Sequence, residues 1–259
     1  MNQELVSIIM PSYNCGEFVE ETIHSVQAQT YKNWEIIFMD DCSTDDTIRR
    51  VSELREQDSR IKLFQNHGNL GAAVSRNNAL REAKGRWIAF LDSDDLWEPE
   101  KLEKQVRFME ENGYRFSYTC YSEMDGEGND TGVIVSGPSK VTKAGMFAFC
   151  WPGCLTVMYD VNEIGLLQIE DIKKNNDYAM WLKVCQKADC YLLQEVLAKY
   201  RRGRSGSVSS HGITTMIKWH YKLFRDAEKM GAMPSLWHTG VNLVCGFYKK
   251  LKYVKRIQP

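Results

Sequence analysis

Four short apolar runs recur in the first hundred residues, and segments with helical spacing separate them. The runs cover residues 5–10, 34–39, 61–64 and 87–91. The helical segments cover residues 17–30, 45–57, 72–84 and 99–112. Strands that alternate with helices predict βα units and a parallel sheet covered on both faces. The fold class is therefore α/β, with a mostly parallel sheet flanked by helices.

The pattern after residue 113 is less regular. It predicts strands over 115–121 and 190–198, a helix over 172–186, and a mobile basic Gly/Ser-rich loop over 201–210. The remainder, 215–256, is predicted to be mainly helical, with breaks near 231–234 and near Gly240. We divide the chain into two halves of one domain, 1–112 and 113–210, and a basic helical extension over 211–259.

Composition excludes several classes of protein. The 259 residues are 43% hydrophobic and 26% charged, which are ordinary globular values. Eight cysteines occur without a CxxC pair or a His cluster, which argues against structural zinc. No apolar run approaches the roughly 20 residues that span a bilayer, and the first residues do not resemble a signal peptide. We expect a cytoplasmic protein with reduced thiols; a net charge of −1 indicates no nucleic-acid partner.

Polar residues follow all four predicted strands. They are Pro11-Ser12-Tyr13-Asn14, Asp40-Asp41, Asn66 to Asn69, and Asp92-Ser93-Asp94-Asp95. One such cluster is explained by a turn or a helix cap. Four at the carboxyl edge of a parallel sheet indicate a ligand site, because ligands of such sheets bind there.

The first of these turns, P-S-Y-N-C-G, is neither a GxGxxG loop nor a Walker loop. A bound diphosphate would therefore need another source of positive charge. Asp92 and Asp94 are one residue apart after a strand and can converge on a hard cation. Mn²⁺ or Mg²⁺ is often held by one or two carboxylates together with substrate phosphates.

Two stretches, residues 6–47 and 69–99, carry a resemblance through P-S-Y-N, D-D-C-S, S-R-N and D-S-D. They resemble the family 2 inverting glycosyltransferases of the Rossmann-like GT-A fold. The likeness is close over 5–112 and thinner to about 210. It implies a nucleotide-sugar donor, usually with UDP, bound in the half 1–112, and acceptor binding and catalysis in the half 113–210.

The resemblance assigns the nucleoside side of the site. It implies that the loop of Pro11, Tyr13 and Asn14 lines the nucleoside and that Asp41 hydrogen-bonds the base. The family usually has Gly where this chain has Cys42. We therefore expect a changed turn there but a retained site.

The resemblance also assigns the diphosphate side. Asp92 would face the ribose or the metal, Asp94 would bind the metal, and Ser93 lies between them in the donor site. Arg76, in the S-R-N segment, would approach the diphosphate or the sugar. Arg201 begins a segment that resembles the family's closing loop and would add positive charge over the diphosphate; a solvated basic loop explains it equally well.

The catalytic base of the family precedes an aromatic helical segment, here N-D-Y-A-M-W-L, and so corresponds to Asp177. The alternative is that Asp177 only caps the helix. The expected reaction is metal-dependent inverting transfer from a UDP-sugar to an acceptor hydroxyl on a glycan or a lipid-linked molecule, in cell-surface polysaccharide or glycolipid synthesis. The alternatives are a non-catalytic nucleotide-sugar-binding module and a metal-dependent nucleotidyltransferase, although the first loop lacks the glycines and basic residue of the latter.

The carboxyl-terminal segment is strongly basic. Residues 217–259 contain nine Lys and Arg against Asp226 and Glu228. Apolar residues recur at helical spacing at Val244, Phe247, Tyr248, Leu251 and Val254. This predicts a helix over 241–256 on an anionic membrane surface, peripheral to the inner face; a helix packed on the body with a basic outer face fits equally well. The sequence indicates no oligomeric state.

Overall fold

The computed structural model describes residues 3–203 and 213–257. The first half alternates strands and helices as expected. Its strands are β1 (Val6–Ser12), β2 (Trp34–Asp40), β3 (Ile61–Gln65), β4 (Trp87–Phe90) and the short β5 (Leu96–Trp97). Its helices are α1 (Val19–Gln27), α2 (Thr47–Gln57), α3 (Ala72–Glu82) and α4 (Lys101–Asn112).

The second half contains more, and shorter, elements than predicted. In chain order they are β6 (Phe116–Met124), β7 (Asp130–Val135), β8 (Lys140–Val141), α5 (Lys143–Ala148), a 3₁₀ turn (Cys154–Thr156), β9 (Met158–Asp160), α6 (Val161–Ile164), α7 (Asn176–Cys185) and β10 (Cys190–Arg201). The carboxyl-terminal elements are α8 (Ile213–Lys222), a π-helical turn (Leu223–Ala227), α9 (Ala232–Lys252) and β11 (Val254–Arg256).

The sheet confirms the predicted fold class. Strands β3, β2, β1 and β4 lie side by side in that order and are all parallel. Strand β9 runs antiparallel between β4 and β6, and β10 lies parallel to β6. Strands β7 and β11 extend the sheet antiparallel from the end of β6. The strand order reverses at β1, where ligands of open α/β sheets bind.

Alternating residues of the central strands fill two cores on opposite faces of the sheet. Ile9 and Ile88 pack in one core with residues of α3 and α7. Ile8 and Ile36 pack in the other with residues of α1, α2 and α4. Because both faces are covered, strands β1, β2 and β4 are buried along their whole length, which explains the nearly continuous apolar runs in the sequence.

Strand β10 corrects one predicted boundary. It continues to Arg201, so this residue ends a strand and is buried, whereas the sequence placed it in a mobile loop. The long-range hydrogen bonds described below account for the difference. Residues 204–210 of the predicted loop lie outside the described part of the chain. Helix α7 also begins at Asn176, four residues later than predicted.

The carboxyl-terminal segment differs from the prediction in two ways. Helix α9 is continuous through Gly240, so the predicted second break is wrong; the first break lies just before α9, as expected. The helix ends at Lys252, and Val254 to Arg256 pair with β7 instead of extending a helix to 256. Within the described residues, no helix has both the length and the hydropathy that crossing a bilayer requires.

Candidate active site

Asp41 follows β2 and organises the loop between β3 and α3. Its carboxylate accepts hydrogen bonds from the Asn66 amide at 2.8 Å and from the backbone N–H groups of Leu70 at 2.8 Å and Gly71 at 2.7 Å. Gly71 precedes α3 with a φ of 87°, which favours glycine. Asp41 is thus buried and fixed at the edge where the sequence placed the nucleoside.

The P-S-Y-N-C-G loop after β1 is locked against the start of α2. The backbone N–H of Asn14 donates to Ser43 Oγ at 2.9 Å. The side-chain Oδ1 of Asn14 accepts from the N–H of Thr44 at 2.8 Å. The N–H of Gly16 donates to Asp45 at 2.9 Å. A Cβ at Gly16 would lie 2.0 Å from Asp46 Oδ1, so any larger residue there would have to displace that carboxylate. Pro11 is buried in β1, and Tyr13 is exposed beside it.

Backbone strain concentrates at this edge. Four non-glycine residues of the described chain have a positive φ. Two belong to the predicted motifs, Asn14 at 49° and Cys42 at 66°, and Asn175 at 58° directly precedes the N-D-Y-A-M-W-L motif. Cys42 therefore adopts the left-handed conformation that the glycine of the family motif would adopt freely. Such strain persists where surrounding contacts enforce it, and it often marks functional sites.

Arg76 of α3 links the two halves of the chain. Its guanidinium donates to the Asp92 carboxylate at 2.5 Å and to Asn176 Oδ1 at 2.7 Å. Burial alone would lower the pKa of Arg76, but the carboxylates of Asp92 and Asp177 reverse this effect and raise it. The buried positive charge therefore lies between the turn after β4 and the first turn of α7.

Asp177 is the second residue of α7 and lies beside this charge. Burial raises the pKa of its carboxyl above the ordinary 3.8, and the nearby Arg76 partly offsets the increase. Asn175 precedes the helix but makes no side-chain capping hydrogen bond, and backbone hydrogen bonds in the first turn of α7 also lower the pKa of the Asp177 carboxyl, so a capping role for Asp177 stays open beside the catalytic one. A carboxylate with a raised pKa is a stronger proton acceptor, as a general base requires.

The turn after β4 concentrates negative charge. Asp95 donates its N–H to the Asp92 carbonyl at 3.2 Å, and Ser93 is buried within the turn. Burial, together with the charges of Asp94 and Asp92, raises the pKa of Asp95 well above its ordinary value. In the described residues, no three His, Cys, Asp or Glu side chains cluster as a complete metal site. Metal binding by Asp92 and Asp94 therefore stays a prediction; a cation there would take its remaining ligands from a phosphate or water.

Arg201 positions this acidic turn. Its backbone N–H donates to Asp95 Oδ1 at 2.9 Å, and its Nε donates to the Asp94 carbonyl at 2.9 Å. Its terminal nitrogens donate to Glu21 Oε2 at 2.6 Å and to the Gly126 carbonyl at 3.2 Å. The observed partners of Arg201 thus belong to the protein, and its contact with a diphosphate stays a prediction.

Four residues that sequence reasoning did not select contribute to this geometry. Asn66 and Asn176 lie in the motifs quoted above, so the sequence contained a signal that they belong to the site. Asp95 follows the acidic pair and also gave one. Glu21 gave none, because its partner Arg201 lies 180 residues away.

The family model described as Glycosyl transferase family 2 matches residues 7–144, more than half of the chain. This chain belongs to glycosyl transferase family 2. The teichuronic acid biosynthesis glycosyltransferase TuaG of Bacillus subtilis is 39% identical over 234 residues, covering 90% of this chain and 92% of TuaG. The Escherichia coli UDP-Glc:α-D-GlcNAc-diphosphoundecaprenol β-1,3-glucosyltransferase WfaP is 40% identical over 215 residues, covering 83% and 84%.

A solved structure has the same fold. Staphylococcus aureus TarS 1–349 in complex with UDP-GlcNAc aligns with a TM-score of 0.70 and 20% identity, covering 96% of this chain and 76% of that one. The resemblance inferred from the motifs is confirmed, as is the GT-A fold. The protein is a glycosyltransferase, and this sets aside the nucleotidyltransferase and the non-catalytic binding module.

Proposed function

We propose that this family 2 glycosyltransferase moves a sugar from a UDP-sugar to an acceptor hydroxyl, with inversion at the anomeric carbon. One observation carries the proposal. Arg76 bonds both Asp92, in the predicted donor site, and Asn176, the neighbour of the predicted base Asp177. The groups that would hold the donor and activate the acceptor therefore lie next to each other.

Two features support a uridine nucleotide. Asp41 Oδ2 accepts one hydrogen bond, from Gly71, and a carboxylate oxygen can accept two, so Asp41 can receive the N–H of a pyrimidine base. The exposed ring of Tyr13 can stack beside that base. WfaP is named for UDP-Glc, and the TarS structure contains UDP-GlcNAc.

The names of the relatives indicate the class of acceptor. WfaP is named for a GlcNAc-diphosphoundecaprenol acceptor, and TuaG for teichuronic acid biosynthesis. We infer a lipid-linked saccharide acceptor, used in cell-surface polysaccharide or glycolipid synthesis in the cytoplasm. The half 113–210 is its proposed binding region.

Each residue of the site has a separate part in the proposed reaction. Asp177 takes the proton from the acceptor hydroxyl while the oxygen of that hydroxyl attacks the anomeric carbon. Arg76 keeps Asp92 and the start of α7 in place, and Arg201 keeps the Asp94 backbone in place. Asp94 and Asp92 would hold Mn²⁺ or Mg²⁺, which neutralises the charge of the departing diphosphate.

The Asp177→Asn variant tests the proposal. We expect UDP affinity to remain and transfer to fall by about 10²- to 10⁴-fold, the usual contribution of a general base. Asp171→Asn, at an exposed carboxylate six residues earlier, serves as the control. Near-normal transfer by Asp177→Asn would show that Asp177 is not the catalytic base. A product with the donor's anomeric configuration, seen by NMR, would rule out inversion.

A further inference from the structure

Helix α9 has its polar side inward and its apolar side outward. Its inner residues Ser235, Thr239 and Asn242 are 0%, 4% and 1% exposed. Its outer residues are Met233 at 76%, Leu236 at 56%, Trp237 at 70%, Val244 at 70%, Phe247 at 66% and Leu251 at 70%. A surface helix of a globular protein normally has the opposite arrangement. Helix α9 is packed on the body through its polar side, and its outer side is mainly apolar with exposed lysines near its carboxyl end.

Hydrogen bonds and close packing hold the inner side in place. Asn242 Nδ2 donates to the Tyr178 hydroxyl at 2.8 Å, and Lys249 Nζ donates to the Trp151 carbonyl at 2.7 Å. A Cβ at Gly246 would lie 3.0 Å from the Phe149 ring. Rotating the helix to bury its apolar side would break these contacts, so the apolar side stays outward.

The exposed apolar residues form one row along the helix. The row from Met233 to Leu251 covers 18 residue steps, or about 27 Å at 1.5 Å per residue. We name it, with its members Met233, Leu236, Trp237, Val244, Phe247 and Leu251, the outer row. Its length and aromatic content exceed the scattered apolar residues of an ordinary surface.

The carboxyl-terminal region that contains the outer row is strongly basic. The exposed cations of this region are Lys218, Lys222, Arg225, Lys229, Lys250, Lys252, Lys255 and Arg256. The acids of 217–259 are only Asp226 and Glu228, and the rest of the chain is net acidic because the whole chain carries −1. Two copies joined through this face would bring like charges together, which opposes association. An anionic surface complements it.

We propose that the outer row and its flanking cations dock on an anionic lipid surface, with α9 lying in the plane of the membrane. Amphipathic helices of this kind insert their apolar side at the boundary of headgroups and acyl chains. The docking surface therefore begins at Met233 and ends at Leu251 on the helix, eight residues earlier at its start than the sequence predicted. Its basic flank includes β11.

Helix α9 contacts the candidate active site through its inner side, opposite the docking surface. Asn242 bonds Tyr178, which follows Asp177 directly in α7. Docking through α9 would keep α7 near the lipid surface. This relation to a lipid-linked acceptor rests on the proposed function, whereas docking itself does not.

Vesicle co-sedimentation of the full chain, without donor or acceptor, tests the docking. We expect binding to vesicles of phosphatidylglycerol and phosphatidylcholine, weakened by added salt, and much weaker binding to phosphatidylcholine alone. Replacing both Trp237 and Phe247 with Ser should reduce binding at least ten-fold. Both side chains are exposed, so thermal unfolding should not change. Leu166→Ser, at an exposed leucine outside α9, should bind like the unmodified chain.

Charge variants separate lipid docking from nonspecific adhesion of apolar groups. Lys250→Gln should lower binding about five-fold, the contribution of one lysine near an anionic surface. Equal vesicle binding by the unmodified chain and the Trp237/Phe247 double variant would overturn the proposal. The proposal would also be overturned if the unmodified chain is a dimer in light scattering, the double variant is a monomer, and neither protein binds vesicles. Vesicle binding by an unmodified chain that transfers no sugar would count against the proposed function only.

Discussion

The guanidinium of Arg76 donates a hydrogen bond to the Asp92 carboxylate at 2.5 Å, joining α3 to the turn after β4. The same group reaches Asn176 at the start of α7, a hundred residues further along the chain. Its planar fork satisfies both acceptors at once. A lysine has a single nitrogen on a flexible stem and cannot reproduce that geometry.

The Arg76→Lys variant should keep the positive charge but lose the bridge. We expect kcat/KM for transfer to fall on the order of 100-fold, because a small misplacement of reacting groups has an effect of this size. Steady-state kinetics measure it. Arg81→Lys, at an exposed arginine of the same helix, provides the matched control. Equal activity of Arg76→Lys and the unmodified enzyme would show that the bridge is dispensable.

The raised pKa of Asp177 predicts an acid limb in the pH–rate profile. Transfer requires the carboxylate, so activity should fall as pH falls through a pKa above 3.8. Arg76 lowers the pKa of Asp177, so Arg76→Gln should move the acid limb to higher pH. Profiles of kcat/KM against pH for both proteins check this. An unmoved limb would mean that another group controls it.

Asp94→Asn should weaken metal-stimulated binding of UDP. The loss should be on the order of 10- to 100-fold, the range seen when support of a metal is removed. Calorimetric titration of UDP with and without Mn²⁺ measures it. Glu56→Gln, at an exposed carboxylate of α2, controls for the loss of one charge. Unchanged metal-dependent affinity would exclude Asp94 as a ligand.

The backbone conformation of Cys42 predicts that two substitutions at this position change the free energy of unfolding by different amounts. Its φ of 66° disfavours β-branched side chains, so Cys42→Val should lower the free energy of unfolding by about 1–3 kcal/mol. Cys42→Gly relieves the strain but increases the freedom of the unfolded chain, so the net change should stay within about 1 kcal/mol. Urea unfolding measures both. Cys245→Val, in the helical backbone of α9, should change little, and an equal loss there would refute the role of φ.

Local patterns predicted the first half well because each βα unit is defined by neighbouring residues. The strands from β1 to β4 were found within one residue at their starts and within two at their ends, and Asp41 and Asp92 follow β2 and β4 as expected. The short strands β7, β8 and β9 were missed. Strands β8 and β9 have two and three residues, too few to show a period, and each pairs with a distant strand. Strand β7 is longer and pairs with its chain neighbour β6.

Long-range contacts explain the remaining differences. Arg201 looked like part of a basic loop because its acceptors Asp94, Gly126 and Glu21 lie 75 to 180 residues away. Gly240 looked like a break because glycine weakens helices by about 1 kcal/mol. The hydrogen bonds of Asn242 and Lys249 to the body of the protein offset that cost. The sequence does not reveal these two bonds.

Strand β11 protects a sheet edge. Val254, Lys255 and Arg256 pair with Val135, Ile134 and Val133, so β7 has a partner on each side. Deleting the segment after residue 240 would remove half of α9 and also leave β7 as an open edge, and open edges pair with other chains. A shortened protein could therefore self-associate and pellet without any lipid. Point substitutions on α9 leave this edge closed, and they are the changes that can separate membrane affinity from aggregation.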